Sequence, residues 1–144
     1  MTIAEKQNEL VEEFSMFEEW MDKYAYLIEL GKELPAIEEK YKTRQYLISG
    51  CQSRVWLHAE YVDDKILLTA DSDAVITRGI VSLLVRVLSG HRPQEILDAD
   101  FGFLDKIGLN QHLSPTRANG LQSMVKQILL YARAFQLKTQ NSQQ

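Results

Sequence analysis

Residues 54–88 read RVWLHAEYVDDKILLTADSDAVITRGIVSLLVRVL, and this stretch decides the fold. Apolar and polar side chains alternate along residues 55–62, and Asp63-Asp64 separates this run from a second one over Lys65–Ala70. Alternation with a period of two on both sides of a short turn is typical of two antiparallel strands. The first part of the stretch therefore predicts a β-hairpin.

The last part of the same stretch has a different period. Apolar pairs recur every four residues from Val75/Ile76 to Val87/Leu88, which predicts an amphipathic helix directly after the hairpin. Asp71-Ser72-Asp73 supplies candidate N-caps for this helix, and Gly90 is placed to end it.

Upstream, the sequence predicts two helices. Thr2 with Glu5 and Ser15 with Glu18 have the spacing of capping boxes. The second helix should run from about residue 16 to residue 30, with Gly31 in a left-handed conformation just after it. The aromatic and β-branched residues 44–49 could then form a short strand before the hairpin.

Downstream, the sequence predicts two short helices and one long helix. Pro93 should open a short helix, and residues 101–107 should form a helical turn that ends at Gly108. Ser114-Pro115 is an N-cap followed by proline at the first helical position, so a long helix should start there. Residues 138–144 are polar and should fray. The order predicts one α+β domain over residues 1–144, a small antiparallel sheet with helices packed on one face.

Composition excludes several classes of protein. The chain has 144 residues, 45% of them hydrophobic, and a net charge of −4, which fits a globular domain and disfavours sequence-independent nucleic-acid binding. The longest apolar run, residues 79–88, is far shorter than the ~20 residues of a membrane-spanning helix. The N-terminal residues do not resemble a secretory signal, so we expect a cytoplasmic protein without membrane or nucleic-acid partners.

Cys51 is the single cysteine of the chain, so the chain cannot form an internal disulfide, a multi-thiolate zinc site or its own iron–sulfur site. A lone cysteine is more often a small buried hydrophobe, but its neighbours Gly50 and Gln52-Ser53 indicate a polar turn, which makes an accessible thiol plausible. A cysteine hydrolase built from Cys51, His112 and Asp73 stays open, because such triads are defined by geometry. Asp73 is better explained as a residue at a helix N-terminus than as a catalytic group.

Several separated motifs are spread over nearly the whole chain. They are Trp20–Pro35, Gly50-Cys51-Gln52-Ser53 with Val55-Trp56, Asp71-Ser72-Asp73-Ala74, His112-Leu113-Ser114-Pro115-Thr116-Arg117 and Asn119-Gly120-Leu121. Together these motifs resemble the SufE-type sulfur acceptors. The resemblance implies a fold like that of the IscU scaffold. It also implies that Cys51 accepts sulfane sulfur from the persulfide of a cysteine desulfurase, SufS-like or CsdA-like, which itself uses pyridoxal phosphate.

By the same resemblance, the chain stimulates the desulfurase and delivers sulfur to a SufBCD-like scaffold for iron–sulfur cluster assembly. It is then a sulfur-transfer partner that binds no cofactor or metal, and not a stand-alone enzyme. Gln52, Asp73, His112 and Arg117 enter as members of the matching motifs. Arg117 is the best candidate to lie near Cys51 and stabilise its thiolate. An adaptor of the desulfurase that does not use Cys51 is the alternative.

Overall fold

The computed structural model describes residues 1–142, with side chains through residue 139. Two strands lie between helices, in the order α1 (Ile3–Ser15), α2 (Trp20–Lys32), β1 (Val55–Val62), β2 (Lys65–Ser72), α3 (Val75–Leu88), α4 (Pro93–Leu97), α5 (Phe103–Ile107), α6 (Leu109–His112) and α7 (Pro115–Ser142). Short 3₁₀ turns at Glu39–Tyr41 and Arg44–Tyr46 connect α2 to β1. The predicted α+β class is confirmed.

The β-hairpin has the register that its sequence predicts. β1 pairs antiparallel with β2 from Val55 opposite Ser72 to Val62 opposite Lys65. Asp63 and Asp64 both have positive φ, 52° and 64°, as a two-residue hairpin turn requires. One face of the hairpin is buried, with α3 packed against β2, and its inward side chains are Val55, Leu57, Ala59, Ile66, Leu68 and Ala70.

The crossing of α2 and α3 corrects the prediction for Gly31. Gly31 lies inside α2, where a Cβ would come within 2.8 Å of the backbone nitrogen of Gly79. Both glycines are buried, and at both positions the missing side chain lets two helix backbones approach closely. Gly31 is therefore a packing residue and does not end the helix.

Of the two predicted capping boxes, the structure confirms only the first among its described residues. Thr2 and Glu5 cap α1 reciprocally. Ser15 is instead the last residue of α1, and its hydroxyl donates to the Glu12 carbonyl at 2.7 Å. Serine can bond back to the preceding helical turn as well as forward to the next, so its spacing to Glu18 was misleading. α2 begins later than predicted, at Trp20.

Two further predictions around the hairpin were wrong. Residues 44–46 form a 3₁₀ turn, and of the proposed strand Leu47 makes one antiparallel bridge to Trp56. β2 continues through Ser72, and the N-cap of α3 is Ala74, without a side-chain cap bond. The polar Asp71-Ser72-Asp73 segment bonds to other parts of the chain instead.

The C-terminal half agrees more closely with its sequence. Pro93 opens α4, and Gly108 ends α5 with φ of +102°. The Ser114 hydroxyl accepts from the Arg117 backbone N–H at 3.3 Å, as an N-cap of α7 should. α7 continues through Ser142, across part of the segment predicted to fray, and residues 143–144 lie outside the described residues. Among the described helices, none combines the length and apolar character needed to cross a membrane.

Candidate functional site

Cys51 lies at the tip of a loop that precedes β1. The backbone N–H of Ile48 donates to the carbonyl of Val55 at 2.9 Å and closes residues 49–54 into this loop. Gly50 adopts φ of +92°, a conformation that residues with a side chain rarely take. The closed base and the left-handed turn direct Cys51 toward the helices.

The tip of the loop packs on the first turns of α7. The Cys51 thiol donates to the Gly120 carbonyl, with 3.6 Å between Sγ and oxygen. A Cβ at Gly120 would lie 3.5 Å from the same sulfur, and a Cβ at Gly50 would lie 2.4 Å from the Ser123 hydroxyl. Inside a helix, glycine lowers stability by about 1 kcal/mol relative to alanine. At Gly120 of α7 this cost accompanies a close approach, because the missing side chain lets the loop pack directly on the helix. The two glycines let loop and helix meet.

The other end of the loop is tied to the hairpin. The Asp73 carboxylate accepts from the Arg54 backbone N–H at 3.0 Å, and the Asp73 backbone N–H donates to the Arg54 carbonyl at 3.3 Å. The Ser72 hydroxyl donates to that carbonyl as well, at 2.7 Å. Asp73 is exposed and anchors the loop through its bonds to Arg54. Its carboxylate therefore lies at the base of the loop and does not line the cavity beside the thiol.

A small cavity of about 90 Å³ lies beside the thiol, between the loop, α3 and α7. Its lining comprises Cys51, Gln52, Ser53, Thr77, Ile80, Thr116, Arg117, Gly120 and Met124. Cys51 itself is half-buried, and this burial raises the pKa of the Cys51 thiol. At neutral pH the resting thiol is therefore protonated and only weakly nucleophilic.

Arg117 lines this cavity, but its hydrogen bond goes elsewhere. Its Nη1 donates to the Tyr24 hydroxyl at 3.1 Å, and its guanidinium lies 6.0 Å from the centre of the Tyr24 ring. Burial is the cause of the shifted Cys51 pKa. That Arg117 stabilises the thiolate stays a prediction for a conformation in which the thiol is more exposed.

The candidate His112 lies outside the cavity. Its ring stacks on Trp20, with 4.5 Å between ring centres and 11° between ring planes. His58 stacks on Tyr41, and His91 lies beside Glu95. Within the described part of the chain, no histidine lines the cavity that holds Cys51, so a Cys-His-Asp arrangement is not assembled there.

The residues of α3 and α7 that enclose the thiol are not recognisable as site residues from the sequence. Thr77 and Ile80 of α3, and Ser123 and Met124 of α7, carry ordinary helical patterns that do not mark them as part of a site. Gly120 is the exception, because a glycine inside a long helix is a signal for close approach of another segment.

Comparison with known proteins identifies relatives over most of the chain. A family model described as SufE, an Fe-S metabolism associated domain, matches residues 8–132. An uncharacterized SufE-like protein of Rhizobium meliloti (strain 1021) is 43% identical over 126 residues, which cover 84% of this chain and 90% of that protein. SufE-like protein 1, chloroplastic/mitochondrial, of Arabidopsis thaliana is 37% identical over 139 residues, or 96% of this chain and 37% of the plant protein.

The fold has a solved counterpart as well. The solution structure of a hypothetical protein from Thermus thermophilus superposes with a TM-score of 0.74 and covers 90% of this chain and 94% of that one. The two sequences are 21% identical, so this similarity concerns the fold.

Proposed function

The chain belongs to the SufE family, and on that premise we propose that Cys51 accepts sulfane sulfur from the persulfide of a cysteine desulfurase. The family is described as associated with Fe–S metabolism, and this membership supports a role for the chain in that metabolism. The proposal goes further, to a covalent persulfide on Cys51 that is passed on for cluster assembly.

The observation that carries the proposal is the setting of the single thiol. Cys51 lies at the tip of a loop whose base is tied down by Ile48–Val55 and by Asp73–Arg54, while its sulfur rests on the Gly120 carbonyl. Such a loop can present its tip to a partner without unfolding the core. With one cysteine in the sequence, there is no second thiol in the chain to discharge a bound sulfur.

The transfer step is a displacement at sulfur. The Cys51 thiolate attacks the terminal sulfur of the donor persulfide, the new Sγ–S bond forms, and the donor's own S–S bond breaks. The donor cysteine leaves as a thiolate and takes up the proton that the Cys51 thiol gave up. Electrons and atoms balance without an external oxidant or reductant.

The protonated resting thiol implies an opening step. Burial favours the neutral thiol, while attack on a persulfide needs the thiolate, so the reactive conformation is one in which the loop has left α7. We expect the desulfurase to promote that opening, which would raise the alkylation rate of Cys51 in the complex. Equal rates with and without the desulfurase would count against partner-induced opening.

The remaining parts of the proposal concern partners and compartment. The donor is a SufS-like or CsdA-like desulfurase that carries its own pyridoxal phosphate and is stimulated by this chain, and the recipient is a SufBCD-like scaffold. The chain binds no cofactor and works as a transfer partner rather than as a stand-alone catalyst. The cytoplasm stays the predicted compartment, although the plant relative's name assigns that protein to chloroplast and mitochondrion.

Intact-protein mass spectrometry tests the acceptor role. Wild type and Cys51→Ser are each incubated with an active desulfurase and free cysteine, with and without reductant. We expect a reductant-sensitive gain of sulfur on wild type and none on Cys51→Ser. No gain on wild type, despite complex formation and retained stimulation by Cys51→Ser, would favour an adaptor that does not use Cys51.

A further inference from the structure

On the face of α7 turned away from Cys51, the protein has an open apolar groove of about 590 Å³. Successive helix residues are rotated by about 100°, so α7 presents Gly120 and Met124 to the thiol and Val125 and Leu129 to the opposite side. Its apolar lining includes Leu97, Phe101 and Leu104 on one side and Val125 and Leu129 of α7 on the other. The groove is thus separate from the site of sulfur transfer.

The α7 side of the groove carries positive charge. Lys126 and Arg133 are both exposed, and they are the charged side chains among the described residues that line it. From Ser114 to Gln144 the sequence contains no Asp or Glu, although the whole chain has a net charge of −4. Arg133 donates to Gln136 at 2.6 Å, which involves one of its five N–H groups. This helix is a local basic surface on an acidic protein.

Exposed leucines alternate with these cations along the same stripe. Lys126, Leu130, Arg133 and Leu137 follow one another at i, i+4, i+7 and i+11, so they lie on one side of α7. Leu130 is 53% exposed and Leu137 is 44% exposed. Leucines at this spacing beside an apolar groove form the surface on which an amphipathic helix can pack.

We propose that this groove binds an amphipathic, acidic α-helix of a partner protein. Apolar side chains of that helix would enter the groove between α7 and the α4–α5 segment, and its carboxylates would pair with Lys126 and Arg133. The occupant can bind while Cys51 reacts, because α7 lies between the two surfaces. The proposal does not depend on the sulfur-acceptor role.

An anionic membrane is a poorer match for the same surface. Juxtamembrane segments that bind acidic lipid headgroups carry clusters of about four to eight Lys or Arg, whereas the α7 side of the groove has two. A flat bilayer surface also leaves a concave groove unfilled, while a helix ridge fills it. The geometry therefore favours a helix.

Differential peptide selection tests the proposal. A display library of helical peptides of about 16 residues carries Leu, Ile or Phe at i, i+4, i+7 and i+11 and random polar or charged residues elsewhere. It is selected on wild type and on Lys126→Glu/Arg133→Glu. The control variant Arg44→Glu/Lys65→Glu reverses the same number of charges at exposed positions outside the groove lining.

We expect wild type and the control variant to enrich peptides with net negative charge. By fluorescence anisotropy, a selected peptide should bind Lys126→Glu/Arg133→Glu roughly tenfold more weakly than it binds wild type. Its binding to wild type should be weaker at high salt than at low salt. Leu130→Gln should weaken binding but leave its salt dependence as in wild type, because Lys126 and Arg133 are retained. Alkylation of Cys51 should proceed at the wild-type rate in all three variants, which shows that they are folded.

Other results would overturn the proposal. The acidic helix would be excluded as the occupant if wild type enriched neutral or basic peptides. It would also be excluded if selection on wild type enriched acidic peptides no more than selection on Lys126→Glu/Arg133→Glu. Groove-dependent binding of dodecanoate, or of phosphatidylserine vesicles, in place of any peptide would assign the groove to a small amphiphile or a membrane. Concentration-dependent dimerisation that is lost in Leu130→Gln would assign it to a second copy of the chain.

Discussion

Replacing Gly50 with alanine should open the Cys51 loop, because two features of the closed loop oppose a side chain there. The backbone has φ of +92°, and an added Cβ would lie 2.4 Å from the Ser123 hydroxyl and 3.3 Å from its Cβ. The left-handed conformation costs a residue with a Cβ about 1–2 kcal/mol. Both penalties disappear when the loop leaves α7, so the substitution shifts the closed-to-open equilibrium.

The magnitude can be read from alkylation of the thiol. If iodoacetamide reacts with Cys51 only in the open state, a shift of about 1–2 kcal/mol accelerates alkylation about 5- to 30-fold. Ser123→Ala in the same background removes the hydroxyl contact and should recover part of that difference. The part that Ser123→Ala does not recover measures the backbone strain together with the 3.3 Å contact to the Cβ of residue 123, which alanine retains.

Gly90→Ala is the matched control. Gly90 also has positive φ, +84°, but a Cβ there would meet nothing within 4 Å. This variant should lower the free energy of unfolding without accelerating alkylation of Cys51. The reasoning is refuted if Gly50→Ala is alkylated at the wild-type rate, or if Gly90→Ala is accelerated equally.

Four further predictions concern titration of the described groups. Because burial raises the pKa of the Cys51 thiol, its alkylation in the isolated chain should be half-maximal above the value of about 8.5 for a free thiol, and a midpoint at or below that value would contradict a closed loop. The raised pKa contributes to the free energy of unfolding below the pKa of the unfolded thiol, and this contribution is lost as the pH rises past that value. Urea titrations should therefore show wild type losing stability relative to Cys51→Ser above about pH 8.5. If Arg117 stabilises the thiolate, Arg117→Ala should raise the alkylation midpoint measured in the presence of the desulfurase, and an unchanged midpoint would leave Arg117 with its contact to Tyr24. Hydrogen bonds from Arg86 hold the pKa of Glu13 below its usual value. The resulting contribution to the free energy of unfolding is present above the pKa of an unfolded glutamate and is lost as the pH falls through the pKa of the folded state. Wild type should therefore lose more stability than Arg86→Met between about pH 6 and about pH 3, and parallel stability curves for the two proteins would exclude this coupling.

The elements with strong local signals were predictable from the sequence. The hairpin follows from alternation and from Asp63-Asp64, and α7 follows from Ser114-Pro115 and an apolar face. In both cases the deciding interactions join residues close in sequence, so a local pattern contains the information. The resemblance of separated motifs to SufE proteins identified the family before any coordinates.

The errors came from residues whose partners are distant in sequence. A glycine at position 31 is typical of a residue just after a helix, but Gly31 lies inside α2 and packs against the backbone of Gly79. Asp73 has the sequence position of an N-cap for α3, whereas its carboxylate accepts from the Arg54 backbone N–H across the base of the loop. A single sequence gives no direct sign of such pairings.

Local patterns and separated motifs are enough to identify an acidic α+β protein of the SufE family with a single thiol in a polar turn. The tertiary structure decided that this thiol rests on the Gly120 carbonyl, half-buried and with a raised pKa. It also decided that α7 carries a basic apolar groove on its opposite face. The physical reason is that burial and long-range hydrogen bonds arise only where segments distant in sequence pack together, while turns, caps and periodicity are properties of neighbouring residues.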